Sequence, residues 1–208
     1  MSRLFLADLI DATDNFGRTT WLGEPIRQNL MDLWTIQETI WEVKPALLVE
    51  CGTARGGSAL FYAHLLDGIG RGRVITIDRA ARPRLSHPRI EFILGSSVAS
   101  DVVARVGEAP RTSAGPVMVI LDSDHAADHV RAELERYAPL VTPGSFLLAQ
   151  DGIVDVLGEF VAARPGPLPA IADFLRQHGE FEVDAERSRR FLISHHPRGW
   201  LRRKLEGG

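Results

Sequence analysis

Cysteine is almost missing from this 208-residue chain. Cys51 stands alone, so no internal disulfide can staple the fold, and a reducing, cytoplasmic setting is expected. An excess of charge of either sign is missing as well. The 24 basic and 27 acidic side chains leave a formal net charge of −3, which gives no electrostatic footprint for a nucleic acid and points to a small partner. Nor is there a long apolar run. The opening "MSRLFLADLIDATDNF" is broken by Asp8 and Asp11 and is too short for a signal peptide or a membrane span, so no membrane partner is expected. Repeats, low-complexity tracts and obvious linkers are lacking too.

What is present is one core's worth of apolar sequence. Hydrophobic residues make up 45% of the chain, and the length favours one domain over 1–208, with 1–45 as an N-terminal helical or lid segment packed on it. Short apolar runs alternate with helix-like segments, the pattern of an α/β fold with a mainly parallel sheet. Strands are predicted at 46–51, 73–78, 90–95, 117–122 and 145–150. Helices are predicted over 28–45, 58–70, 127–141 and 168–179, the third with Val130, Leu134, Tyr137 and Val141 as its apolar stripe. "EFEVD" and "RRFLISH" read as an antiparallel pair, and "RGWLRRK" as a basic tail.

The first predicted strand runs into "LLVECGTARGGSAL", a glycine-rich turn ahead of a helix and the usual binding edge of an open parallel sheet. Gly52, Gly56 and Gly57 depart from the dinucleotide pattern G-x-G-x-x-G because Ala54 replaces the middle glycine, the one that lets a pyrophosphate approach the backbone. Glu50 sharpens the point: a carboxylate beside the turn repels a pyrophosphate and attracts an ammonium. S-adenosylmethionine meets both demands. Asp78 closes the second strand, 28 positions after Glu50, where an acid accepts hydrogen bonds from ribose hydroxyls. Either acid alone reads equally as a strand-end charge in a solvated loop, but together with the turn the two favour the cofactor.

"DLWTIQETIWEVKPALLVECGTARGGSALFYA", "VILDSDHAADHVRAELERYAPLVTPGSFLLAQD" and "RRFLISHHPRGWLRR" resemble the cephalosporin hydroxylase family, class I S-adenosylmethionine-dependent O-methyltransferases that include rhamnosyl O-methyltransferases. The resemblance runs from about Trp21 to Arg203. It implies a Rossmann-like, seven-stranded, mostly parallel sheet with its last strand antiparallel and helices on both faces. It also implies a cofactor pocket at Glu50, Gly52, Thr53, Arg55, Ser58, Asp78, Gly95, Ser96, Ser97 and Asp122. Family members hold a divalent cation, usually magnesium, through an aspartate in the first of the two strand-end segments and an acidic pair in the second. By spacing, Asp124 with Gln150 and Asp151, 26 and 27 positions on, matches that metal set, with Asp122 facing the cofactor. The chain departs from the pattern at Gln150, which offers an oxygen but no charge.

"LDSDH" places Asp122, Asp124 and His125 at one strand end, and "AQDG" places Gln150 and Asp151 at the next, so these side chains can converge on one cleft. His125, Asp124 and Asp151 are the candidate catalytic groups. His125 is the candidate base because an imidazole titrates near neutrality. His125 reads equally as a helix N-terminal histidine that bonds a neighbouring loop, Asp124 as a helix N-cap, His129 as solvated surface, and His195 and His196 as structural residues ending the last strand. Trp34 and Trp41, seven apart on one helix, read as core. Trp21 is a candidate cover for the acceptor, and "DGIVDVLGEFVAARPGPLP" a candidate lid. The reading is methyl transfer to a hydroxyl of a small natural product or sugar by a self-associating enzyme. A non-catalytic cofactor-binding protein and a nicotinamide-dependent oxidoreductase are the alternatives.

Overall fold

The computed structural model describes residues 18–80 and 85–205, with the side chains of residues 111 and 112 left out. The opening stretch, and with it the first part of the expected N-terminal segment, lies outside the described residues. A short hairpin, β1 (Thr20–Trp21) and β2 (Glu24–Pro25), precedes helix α1 (Leu30–Val43). Asn29 caps α1 by accepting from the N–H groups of Met31 and Asp32, and Lys44, in left-handed conformation before Pro45, ends it.

Seven strands follow: β3 (Leu47–Cys51), β4 (Arg73–Asp78), β5 (Ile90–Leu94), β6 (Val117–Leu121), β7 (Phe146–Ala149), β8 (Phe181–Val183) and β9 (Trp200–Arg203). Between them run α2 (Gly57–Ile69), α3 (Ser100–Glu108), α4 (Ala127–Tyr137) and α5 (Pro167–Gln177). The strands form one sheet in the order β5-β4-β3-β6-β7-β9-β8. Its first five strands are parallel, and β9 runs antiparallel to both β7 and β8.

Both faces are buried, which is why the central strands read as unbroken apolar runs. Leu47, Val49 and Cys51 join Val106, Leu134, Tyr137 and Phe174 on one face. On the other, Leu48 joins Ile36, Ile40, Tyr62 and Leu66. Helices α3, α4 and α5 thus cover one side, α1 and α2 the other. The stripe Val130, Leu134, Tyr137 and Val141 is buried as its spacing requires.

Two expectations are corrected. "RRFLISH" forms no strand; the partner of β8 is β9, the stretch read as a basic tail, where Trp200 and Leu201 are fully buried. Trp34 and Trp41 are 58% and 59% exposed, because Leu33, Ile36 and Ile40 already occupy the inner face of α1.

Candidate active site

After β3 the chain turns to build β4 and β5 on one side, then returns to place β6 on the other. The carboxyl ends of β3 and β6 are therefore the switch point at which an open sheet opens a crevice. Gly52 sits there at φ +105°, and a Cβ on it would lie 1.9 Å from the Asp122 carbonyl oxygen. Glycine is needed at this position for conformation and for space alike. Ala54 takes the left-handed conformation that the replaced glycine would take, at φ +45°. Its N–H donates to Asp78 Oδ2 at 2.8 Å, and Ala80 N–H donates to Oδ1. A cleft opens over this edge, lined by Gly52, Asp78, Gly95, Ser97, Asp122 and His129.

Glu50 lies beneath the turn, fully buried. Thr76 Oγ1 donates to its Oε2 at 2.5 Å and is itself 2.6 Å from Thr53 Oγ1, while Oε1 makes no hydrogen bond among the described residues. Burial pushes the carboxyl up to about 7, against the Ser58 and Thr76 hydroxyls that hold it down, with the Asp78 charge adding to the rise. A buried carboxylate oxygen without a donor fits an arriving ammonium. The backbone over the first turn of α2 fits the same cofactor: a Cβ on Gly57 would lie 2.3 Å from the Pro25 carbonyl oxygen. The helix N-terminus that holds a pyrophosphate in dinucleotide folds is covered here by the β2 segment.

Ser58 is buried in α2, Ser96 is half-buried beside Ser97, and Arg55 is exposed on the turn. His129 is no surface residue. Its Nε2 lies 3.2 Å from Ser97 Oγ, 3.1 Å from Ser123 Oγ and 3.3 Å from Glu133 Oε1, and the bond to Glu133 raises its pKa. The spacing of four between His129 and Glu133, at the border of the apolar stripe, is the signal that identifies the pair.

A second cluster adjoins the cleft. Ligand atoms of Asp122, His125 and Asp151 lie within 4.8 Å of one another, and His125 Nε2 is 3.0 Å from Asp151 Oδ2. Gln150 is buried beside them, its Oε1 only 3.1 Å from Asp122 Oδ1 and 3.2 Å from Oδ2; with the amide the other way round, its NH2 donates to both. Gln28, buried ahead of α1, donates from Nε2 to Asp122 Oδ2 at 2.7 Å and to Gln150 Oε1 at 2.8 Å. Asp122 is pushed well up by burial and then by the charges of Asp151, Glu50 and Glu133, with the Gln28 bond opposing. Burial also works to raise Asp151, but the His195 bond and the charges of His125, His196 and His195 together outweigh it and hold the group down. The two carboxyls are thereby driven apart, one toward the acid and one toward the anion.

Asp124, expected in the metal set, does not join this cluster. It leaves the strand two residues after Asp122, where Oδ1 accepts from Ala126 N–H at 3.1 Å and Oδ2 lies 3.6 Å from Arg79. His195 and His196 do not end a strand. They pack around Asp151, whose N–H donates to His196 Nδ1 at 3.1 Å, and buried Asp32 of α1 accepts from Ser194 Oγ and His195 N–H. Trp21 faces α2: its indole meets Phe61 edge-on at 4.9 Å and donates to His64 Nδ1 at 2.9 Å. The stretch expected as a lid forms two tight turns, Gly152–Asp155 and Gly158–Ala163, ahead of α5.

A seven-stranded sheet of this order, with β9 reversed and acids at its carboxyl edge, is the class I S-adenosylmethionine-dependent methyltransferase architecture. Within that class the chain belongs to the Rhamnosyl O-methyltransferase/CmcI family, which matches residues 14–204. A protein named Rhamnosyl O-methyltransferase from Mycobacterium leprae (strain TN) is 34% identical over 194 residues, 89% of this chain and 83% of that protein. Its namesake from Mycobacterium tuberculosis (strain ATCC 25618 / H37Rv) is 31% identical over 190 residues, 88% of this chain and 78% of that protein. The fold is similar to that of the CmcI variant designated D160 with magnesium and S-adenosylmethionine: TM-score 0.72 and 20% identity, over 92% of this chain and 78% of that one. It also resembles the MycE methyltransferase with magnesium, S-adenosylhomocysteine and mycinamycin VI, at TM-score 0.58 and 20% identity, over 84% of this chain and 50% of that one.

Proposed function

We propose that this chain transfers the methyl group of S-adenosylmethionine to a hydroxyl of a sugar-bearing small molecule, a rhamnosyl group being the first candidate given the names of its relatives. The observation that carries the reading is the adjacency, at one switch point, of the unpartnered Glu50 oxygen and the Asp122, His125 and Asp151 cluster. Glu50 would hold the ammonium, and Asp78 the ribose with the lone pairs its two backbone partners leave free. Gly52 keeps the turn low enough for the cofactor to cross. S-adenosylmethionine supplies the electrophilic methyl sulfonium at this edge.

Asp151 is held ionised and accepts the Nε2 proton of His125. That leaves Nδ1 of the imidazole to take the proton of the acceptor hydroxyl as the oxygen becomes the nucleophile. The oxygen-rich set of Asp122, Gln150 and Asp151 fits a hard divalent cation, which would supply Lewis acidity to that hydroxyl. Asp122 takes the place given to Asp124 on spacing alone. Gln150 makes the set less anionic than an all-carboxylate one, so the cation should be held weakly.

We further read the enzyme as one domain, cytoplasmic and self-associating through the exposed Leu30, Trp34 and Trp41 of α1. No helix among the described residues is long and apolar enough to cross a membrane. The test of the activity is incubation with S-adenosylmethionine, magnesium and rhamnosylated acceptors, read by release of S-adenosylhomocysteine and by the mass of the methylated product. Release that depends on acceptor and fails in His125→Ala supports the reading. Cofactor binding with no transfer to any hydroxyl compound would favour a cofactor-binding protein without chemistry.

A further inference from the structure

Asp151 is held from behind as well as from the His125 side. It lies two residues beyond β7 in left-handed conformation, φ +56°, a state that an L residue keeps only where its surroundings fix it. Its N–H donates to His196 Nδ1 at 3.1 Å, and its carbonyl accepts from Val154 N–H at 3.1 Å. A ring nitrogen that accepts a hydrogen bond carries no hydrogen, so the His196 proton sits on Nε2. Nε2 is buried with no hydrogen-bond partner among the described residues, and the carboxylate facing it is Asp32 Oδ2 at 3.7 Å. Two carboxylates therefore compete for this proton. Asp151 Oδ1, 4.0 Å from Nδ1, draws it one way, and Asp32 draws it the other.

We propose that Asp32 of α1 is a positioning residue for methyl transfer, keeping the His196 proton on Nε2 so that Nδ1 stays free to hold Asp151 N–H and the Asp151 carboxylate stays on His125. The inference rests on the base reading above and adds to it the path by which α1 reaches the base. Asp32 is 2% exposed and firmly seated. Its Oδ1 accepts from Ser194 Oγ at 2.7 Å and its Oδ2 from His195 N–H at 2.8 Å, while Ser194 Oγ accepts from His196 N–H at 2.9 Å. These bonds fix the backbone that carries the His196 ring. Were the proton on Nδ1, it would meet Asp151 N–H donor against donor, and the left-handed turn would lose the bond that holds it. Asp151 Oδ2, 3.0 Å from His125 Nε2, would then move with its backbone.

Long-range proton–nitrogen correlation spectra of the isotopically labelled full chain read the tautomer directly. The His196 proton is expected on Nε2 in the unaltered protein and shared with Nδ1 in Asp32→Asn. Turnover of S-adenosylmethionine with a rhamnosylated acceptor gives the second reading. Asp32→Asn is expected to lower kcat about tenfold, while the acceptor KM and the calorimetric affinity for S-adenosylhomocysteine stay the same. In the Asp151→Asn background the same substitution should cost nothing further, because the group it acts through is gone; a residue that only stabilises the fold costs the same in both backgrounds. A proton on Nδ1 in the unaltered protein overturns the inference, and that reading stands even should Asp32→Asn fold poorly by circular dichroism. So does a folded Asp32→Asn whose kcat is within about twofold of the unaltered protein, or an equal cost in both backgrounds. If Asp151→Asn loses turnover while Asp32→Asn keeps it, only the Asp32 assignment falls. If Asp151→Asn itself turns over as the unaltered protein does, the base reading falls and takes the inference with it.

Discussion

Replacing Glu50 by glutamine should change stability in a way that depends on pH and change cofactor affinity in the opposite sense. The carboxyl is fully buried and shifted from 4.5 to about 7. Because the folded chain holds this proton to higher pH than the unfolded chain, the stability the group contributes is fully present below pH 4.5 and is lost as pH rises through 7. At about 1.4 kcal/mol per pH unit of displacement, the loss between pH 5 and pH 8 comes to about 2.5 kcal/mol. Glutamine keeps the shape and the acceptor for Thr76 but does not titrate. Urea unfolding of the cofactor-free protein at the two pH values isolates the effect, since groups common to both chains cancel in the difference. Relative to the unaltered protein, Glu50→Gln should gain about 2.5 kcal/mol on going from pH 5 to pH 8. At pH 8 it should bind S-adenosylhomocysteine about tenfold or more weakly, the range expected for losing a hydrogen bond between charged groups. The affinity of the unaltered protein should rise with pH up to about 7 and then level. A stability difference that is the same at both pH values, or an affinity that glutamine leaves intact, would refute the assignment of Glu50 as a buried acid reserved for an ammonium.

Other substitutions probe the remaining parts. Gly52→Ala sets a Cβ 1.9 Å from the Asp122 carbonyl oxygen at a positive φ, and thermal unfolding should show a loss of about 3 kcal/mol or more; a loss under 1 kcal/mol would mean the switch point is looser than described. His125→Ala should cut kcat by about 10²- to 10⁴-fold with S-adenosylhomocysteine affinity unchanged. A kcat within a few fold of the unaltered protein would assign the base elsewhere. Trp21→Ala should lower Tm, because its ring packs on Phe61 and His64, while the acceptor KM stays the same; a raised KM with an unchanged Tm would return Trp21 to the acceptor site. Trp34→Ser with Trp41→Ser should reduce the mass found by light scattering if α1 is the contact between copies. An unchanged mass removes that face.

The strands of the parallel sheet were legible because burial on both faces leaves unbroken apolar runs, and each run ends at or beside a candidate site residue on the carboxyl edge: Glu50 and Gly52, Asp78, Gly95, Asp122, Gln150. Strand β9 was not legible. Its four residues include Arg202 and Arg203, and its place between β7 and β8 is set by pairing across the chain rather than by local pattern. Spacing alone pointed to Asp124 where the geometry clusters Asp122 with His125 and Asp151, since counting positions cannot tell which residue still follows the strand and which has entered the turn. For Trp34 and Trp41, a separation of seven shows that two side chains share a helix face but not which face is buried. Gln28 is 94 and 122 positions from Asp122 and Gln150, and Asp32 is 163 from His195, so no local signal could bring them to the site.

Parallel calorimetric titrations of the purified chain with S-adenosylhomocysteine and with NAD bear most directly on the claim that the cleft over Gly52 is built for an ammonium and against a pyrophosphate. One-to-one binding of S-adenosylhomocysteine, weakened in Glu50→Gln and with no heat from NAD, is the expected result. Binding of NAD without S-adenosylhomocysteine would contradict it.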